Sequence, residues 1–198
     1  MTHCAVKFSR LALLATLIGA LSGCLLSPLS VPVTYQPAPN TAPVPGASSV
    51  HVYVVGEDQR ADKSSVGQYQ QQPIVTSNNV IDTAHDAVQT ELQARGFVID
   101  KGPGGTEVRV QVVNLTGHFF STLFYSSYTA ELIMHVEVVR PDKVVVYSQS
   151  FDVTDTYHPS AFCSVSDDVG AALSGALKKG VTQLFDDPAF MHALLAKS

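Results

Sequence analysis

The sequence predicts an α+β fold: a two-layer sandwich in which a mainly antiparallel sheet carries helices on one face. Three observations point there: Val-rich runs that alternate with polar residues, two stretches with apolar residues at helical spacing, and an order of strand, helix, several strands, helix. Written out, the order is roughly β-α-β-β-β-β-α, closed by a short C-terminal helix.

Val50, Val52 and Val54 alternate with His51, Tyr53 and Val55 before Gly56 ends the first strand. A Gln-rich polar loop leads to Ile74-Val75. Asn78 or Asn79 then suits a helix cap, Ile81, Ala84, Val88 and Leu92 form one stripe, and Gly96 stands in the stop position. Phe97 to Ile99 begins a short strand. The Gly102-Pro103-Gly104-Gly105 turn follows, without the Lys and Ser or Thr of a phosphate loop.

Val108, Val110 and Val112 alternate with Glu107, Arg109 and Gln111, which implies one buried and one wet face. A further strand over about 129–139 alternates Leu132, Met134, Val136 and Val138 with Glu131, His135 and Glu137. Pro141-Asp142 fits the centre of a type I turn, and 144–154 returns as the hairpin partner with Tyr147, Phe151 and Val153 on one face. Ser164 or Ser166 can cap a second helix, with Asp167 and Asp168 favourably placed in its first turn. Its stripe is Val169, Leu173, Ala176, Leu177, Val181 and Leu184. Asp187-Pro188 reads as a cap and first residue of a short helix carrying Phe190 and Leu194.

The first 23 residues read as an export signal. Lys7 and Arg10 precede an apolar run from Leu11 to Leu21, too short to span a bilayer, which needs about 20 residues. Leu21-Ser22-Gly23-Cys24 resembles the lipobox of bacterial lipoproteins, in which the cysteine becomes the lipidated first residue. Acyl tails such as palmitate contribute about 0.8 kcal/mol per buried methylene, so two or more chains anchor stably. Leu25 in place of Asp after that cysteine implies, by the sorting rule of Gram-negative lipoproteins, the periplasmic face of the outer membrane.

Residues 24–48 read as the lipidated cysteine and a tether, and 49–198 as one periplasmic domain. The stretch from Leu25 to Ser48 is uncharged and carries six prolines, from Pro28 to Pro45. In extended polyproline form it reaches on the order of 70 Å. A second reading lays part of it, Val31 to Tyr35, along the domain. Loss of Lys7 and Arg10 leaves ten basic against 17 acidic residues, a formal net charge of −7. Such a surface disfavours nucleic acid and adhesion to anionic lipid. Cys163 remains alone, either buried or paired between chains.

Gly56-Glu57-Asp58-Gln59-Arg60-Ala61-Asp62 after the first strand, Ala94-Arg95-Gly96-Phe97 closing the first helix, and the Val-rich strand from Val108 to Leu115 complete a pattern with the lipobox. In this order the chain resembles the YajG-type lipoproteins of Gram-negative bacteria. The resemblance implies a lipid anchor and transfers no catalytic residue. The aromatic segment between the third and fourth strands departs from that family's pattern.

Asp58, Arg60 and Asp62 admit two readings, a loop-fixing ion-pair network or a docking spot for a partner bearing peptide or sugar hydroxyls. The segment from Gly117 to Tyr128 packs five aromatics into an uncharged hairpin tip. Either the strands are longer and the aromatics cover core or sheet edge, or Phe119, Phe120, Leu123, Phe124 and Tyr125 form an exposed patch for lipid or protein. The seven histidines stand at no metal-binding spacing, so neither a metal nor another cofactor is expected. No nucleophile-elbow pattern accompanies the Ser, His and Asp residues. The expected role is a non-enzymatic binding or scaffold module in the envelope. The alternatives are an accessory in lipid or lipopolysaccharide transport and, last, an envelope hydrolase.

Overall fold

The computed structural model of the chain describes residues 27–39, 41–121, 126–158 and 164–196. The export signal 1–23, the lipidation site Cys24, the hairpin residues Leu123, Phe124 and Tyr125, and Cys163 lie outside the described residues. The strands are β1 (Leu29–Val31), β2 (His51–Asp58), β3 (Gln68–Tyr69), β4 (Gln72–Thr76), β5 (Val98–Ile99), β6 (Thr106–Ser121), β7 (Ser126–Val139) and β8 (Val145–Tyr157). The helices are α1 (Val80–Ala94), α2 (Val165–Asp186) and α3 (Pro188–Leu195).

The α+β class holds, with helices packed on a five-stranded sheet of order β5-β2-β6-β7-β8. The β6–β7–β8 meander is antiparallel, whereas β2 is parallel to both β5 and β6. The sheet is therefore mixed. A helix between strands returns the chain to the end where it started, so β2 and β5, the first strand after α1, run the same way. A second sheet, β1-β4-β3, has no counterpart in the expected order.

The buried face follows the alternation of β6 and β7, with Val108, Val110, Val112, Leu132, Met134 and Val136 inside. A bulge between Val112 and Asn114 inserts Val113 and resets the parity, so that Leu115 is again buried. Asn79 caps α1 by accepting from Ile81 N at 3.1 Å, and Gly96 ends it in the left-handed region at φ 90°. Ser164 and Asp187 cap α2 and α3. Pro141-Asp142 forms the β7–β8 turn closed by Lys143 N on Arg140 O.

The Pro-rich segment is largely not a free tether. From Leu29 it forms β1, parallel to β4, and Val31 and Val33 are fully buried. Tyr35 donates its hydroxyl to Glu91 at 2.6 Å, and Val44 N bonds Arg95 O. Apolar Val residues between the prolines supply the burial that holds it, and the contact with the domain exceeds the Val31 to Tyr35 of the second reading, beginning at Leu29 and continuing to Val44. Glu91 is itself buried, with Arg95 as its ion partner one helical turn on, while the Arg95 guanidinium lies 4.2 Å from the Phe185 ring centre.

Candidate functional site

Asp58, at the end of β2, and Arg60 form a bidentate pair, Nε to Oδ1 and a terminal nitrogen to Oδ2, both at 2.9 Å. Asp58 Oδ1 also accepts the Arg60 backbone N–H at 3.1 Å. The Arg60 guanidinium holds the Asp58 carboxyl below its usual range. Asp62 stands apart from this pair: it accepts from the backbone and hydroxyls of Ser64 and Ser65, which push its pKa far down. The three residues are thus two separate loop fixtures rather than one network. Arg60 and Asp62 do share a cavity of about 290 Å³ with Gln68, Asn114 and Thr116, beside the Val113 bulge.

The aromatic segment divides by strand alternation. Phe119 turns inward and packs between Tyr69, met edge-on, and Tyr128, with ring centres at 4.9 and 4.8 Å. Burial pushes the Tyr128 hydroxyl up to about 12, aided by Tyr69 and Asp168. Phe120, on the other side of the strand, is 59% exposed. Gly117 approaches the neighbouring sheet closely, pairing with Gly67, whose φ of 135° only glycine adopts freely.

Sequence reasoning missed the convergence on the sheet face opposite the helices. There Arg109 reaches Glu107 at 2.7 Å, Glu137 at 2.8 Å and Glu57 at 3.6 Å. Tyr53 donates to the other oxygen of Glu107 at 2.5 Å. Burial acts to raise the Glu107 pKa and is outweighed by Tyr53 and Arg109, which leave it lowered. His135 lies between Ser150 and Ser148 on the same face, at 2.9 and 3.2 Å. The alternation marked these residues as wet, but their meeting depends on a cross-strand register that no local pattern encodes.

A concavity of about 700 Å³ lies by the start of β6 and the β7–β8 turn, lined in part by Gly46, His51, Thr106, Pro141 and Leu195. Among the described residues that line it, the one ionisable side chain, His51, pairs with Asp100 at 3.0 Å. Among the described residues no group of three or more His, Cys, Asp or Glu could hold a metal ion. Among them also, no helix is long and apolar enough to cross a membrane.

A family model described as "uncharacterized lipoprotein" matches residues 37–195. Among curated protein sequences nothing matches. Among solved structures, protein XCC0632 of Xanthomonas campestris is similar with a TM-score of 0.54 at 16% identity, covering 79% of this chain and 92% of that one. A minor lipoprotein of Acinetobacter baumannii is similar at TM-score 0.46 and 8% identity, over 75% and 96% of the two chains. The first likeness bears on the fold alone, and the second is too distant to argue from.

Proposed function

The chain belongs to this family of uncharacterised lipoproteins, and we propose that it is a non-enzymatic binding module held by a lipidated Cys24 at the periplasmic face of the outer membrane. The narrower kinship with YajG-type lipoproteins rests on the stretches from Gly56 to Asp62, Ala94 to Phe97 and Val108 to Leu115, all inside the matched residues 37–195.

One observation carries the reading: the chain joins the domain at Leu29, five positions after Cys24. Five residues reach about 17 Å at full extension, so the domain works next to the bilayer and not at the end of a long tether. Its helix-free sheet face, with Arg109 set among Glu57, Glu107 and Glu137 and the hydroxyls of Ser148 and Ser150, is then the polar surface offered to an envelope partner.

The test is photocrosslinking in cells from Asp152, exposed on that sheet face, and from Gln183, exposed on α2. One consistent envelope protein captured from Asp152 and absent from Gln183 supports the reading. Equal or absent capture from the two positions argues against a partner on the sheet face. The exposure of Phe120 favours a second reading, an accessory in lipid or lipopolysaccharide transport. It predicts copurifying lipid that Phe120→Ser removes; unchanged lipid content counts against it.

A further inference from the structure

The strand registers show which end of the domain the anchor leaves from. Gly67 pairs with Gly117 in parallel, so β3 runs alongside the last residues of β6 in the same direction. The Gln70–Gln71 turn therefore sits at the β6–β7 hairpin end, as the packing of Tyr69 on Phe119 also requires. From that turn β4 runs back, and β1 runs parallel to it. The described chain preceding Leu29 consequently emerges at the hairpin end.

Charge marks the same end. The stretches 27–33, 67–79, 117–121 and 126–130 contain no Asp, Glu, Lys or Arg, in a mature chain of net charge −7. The acids that border it are Asp155, across the strand pair from Ala130 and neutralised by Lys179 at 2.6 Å, and Asp167 and the buried Asp168 in the first turn of α2. An acidic protein approaches a phosphate-bearing surface most easily through an end without carboxylates.

We propose that this end faces the bilayer, and that Phe120 inserts into the membrane interface as a second contact beside the acylated Cys24. The proposal rests on the anchored reading above. Several acyl chains suffice to retain the protein, so the work of Phe120 is orientation: it keeps the strands pointing away from the membrane and the polar sheet face turned sideways.

The chain has no tryptophan, so Phe120→Trp gives a single fluorescent reporter at a position with space for it. Val145→Trp, at a site 49% exposed beside the β7–β8 turn at the far end, is the control. Both are made in the full-length, lipidated protein on vesicles of phosphatidylethanolamine and phosphatidylglycerol containing lipids brominated near the glycerol end of the acyl chains. On floated vesicles the Phe120→Trp protein is expected to lose most of its indole emission and the Val145→Trp protein none. Flotation of the Phe120→Trp protein with its indole open to aqueous iodide and untouched by bromine overturns the proposal and leaves the anchor standing. Shielding of that indole from both quenchers overturns it in favour of a second copy covering the residue. Protein that does not float removes the anchored reading and this proposal together.

Discussion

Asn78 holds Val33 through both ends of its amide: the Val33 N–H donates to Oδ1 at 2.9 Å, and Nδ2 donates to the Val33 carbonyl at 2.8 Å. This pair of bonds mimics a further rung of sheet beyond the β1–β4 ladder, where the next backbone has turned into the α1 cap. Asn78→Ala leaves a buried N–H and carbonyl without partners, which costs about 1–3 kcal/mol. Urea unfolding measures that loss. Hydrogen exchange should also accelerate at residues 29–35 before it does in β6 or β7, and an unchanged exchange pattern would sink the idea that Asn78 pins the segment.

Gly170 tests the same seam from the helix side. A Cβ there would meet the Pro32 carbonyl oxygen at 2.8 Å, a backbone atom that cannot swing away. Alanine gains about 1 kcal/mol of helix propensity, but overpacking costs about 1–3 kcal/mol, so Gly170→Ala is expected to destabilise on balance. A Cβ at Gly175 meets the Asp155 carboxylate at 1.8 Å, a side-chain end that can rotate at the expense of its 2.6 Å contact with Lys179. Gly175→Ala should therefore be the milder change in thermal unfolding, and the reverse order would contradict the seam.

What could be read from the sequence was local. Asn79, Ser164 and Asp187 cap the helices as their residue types suggest, and the α2 stripe from Val169 to Leu184 is buried throughout. The β3–β4 hairpin escaped notice because its turn uses Gln70 and Gln71, at φ 47° and 70°, where Asn-Gly would have signalled two left-handed residues. Proline spacing suggested a tether, yet Val31 and Val33 are side chains that find a core only when β4 is present to pair with. The Asp58 and Arg60 pair was within reach of the sequence because its partners stand two positions apart. Arg109 and Glu137 are 28 positions apart and meet only through the β6–β7 register.

Two buried acids should pull stability in opposite directions with pH. Burial acts to raise the Glu91 pKa but is outweighed by Tyr35, Arg95 and the Ala38 N–H, which leave it lowered. Its contribution is present above the ordinary carboxylate range and is lost as pH falls through the depressed folded value. Glu91→Gln is expected to destabilise at neutral pH and to flatten the acid limb of the stability profile. Asp168 is raised, by burial first and by Asp167 second, and its Oδ1 has no hydrogen-bond partner among the described residues. Stability tied to its protonated form is present below the ordinary carboxylate range and is lost as pH rises through the elevated folded value. Asp168→Asn should stabilise at neutral pH by about 1 kcal/mol, with the gain vanishing in acid. A loss at neutral pH would show that the charge serves the α2 dipole more than burial penalises it.

Arg109 separates a structural from a merely superficial role for the polar sheet face. It gives Glu107 two donors, Nε at 3.1 Å and a terminal nitrogen at 2.7 Å, while another terminal nitrogen holds Glu137 at 2.8 Å across the strand pair. Lysine keeps the charge but cannot reproduce that fork. Glu107 is 8% exposed, so without the guanidinium a nearly buried carboxylate keeps only Tyr53 as its close partner. Arg109→Ala should therefore destabilise by about 3 kcal/mol, within the range for breaking one side of a buried pair, and Arg109→Lys by less. Removing both charges, as Arg109→Met with Glu107→Gln, should recover much of the loss, since the stranded carboxylate is gone. A double-mutant cycle on urea unfolding measures the coupling, and additive losses would show that Glu107 and Arg109 act on stability independently.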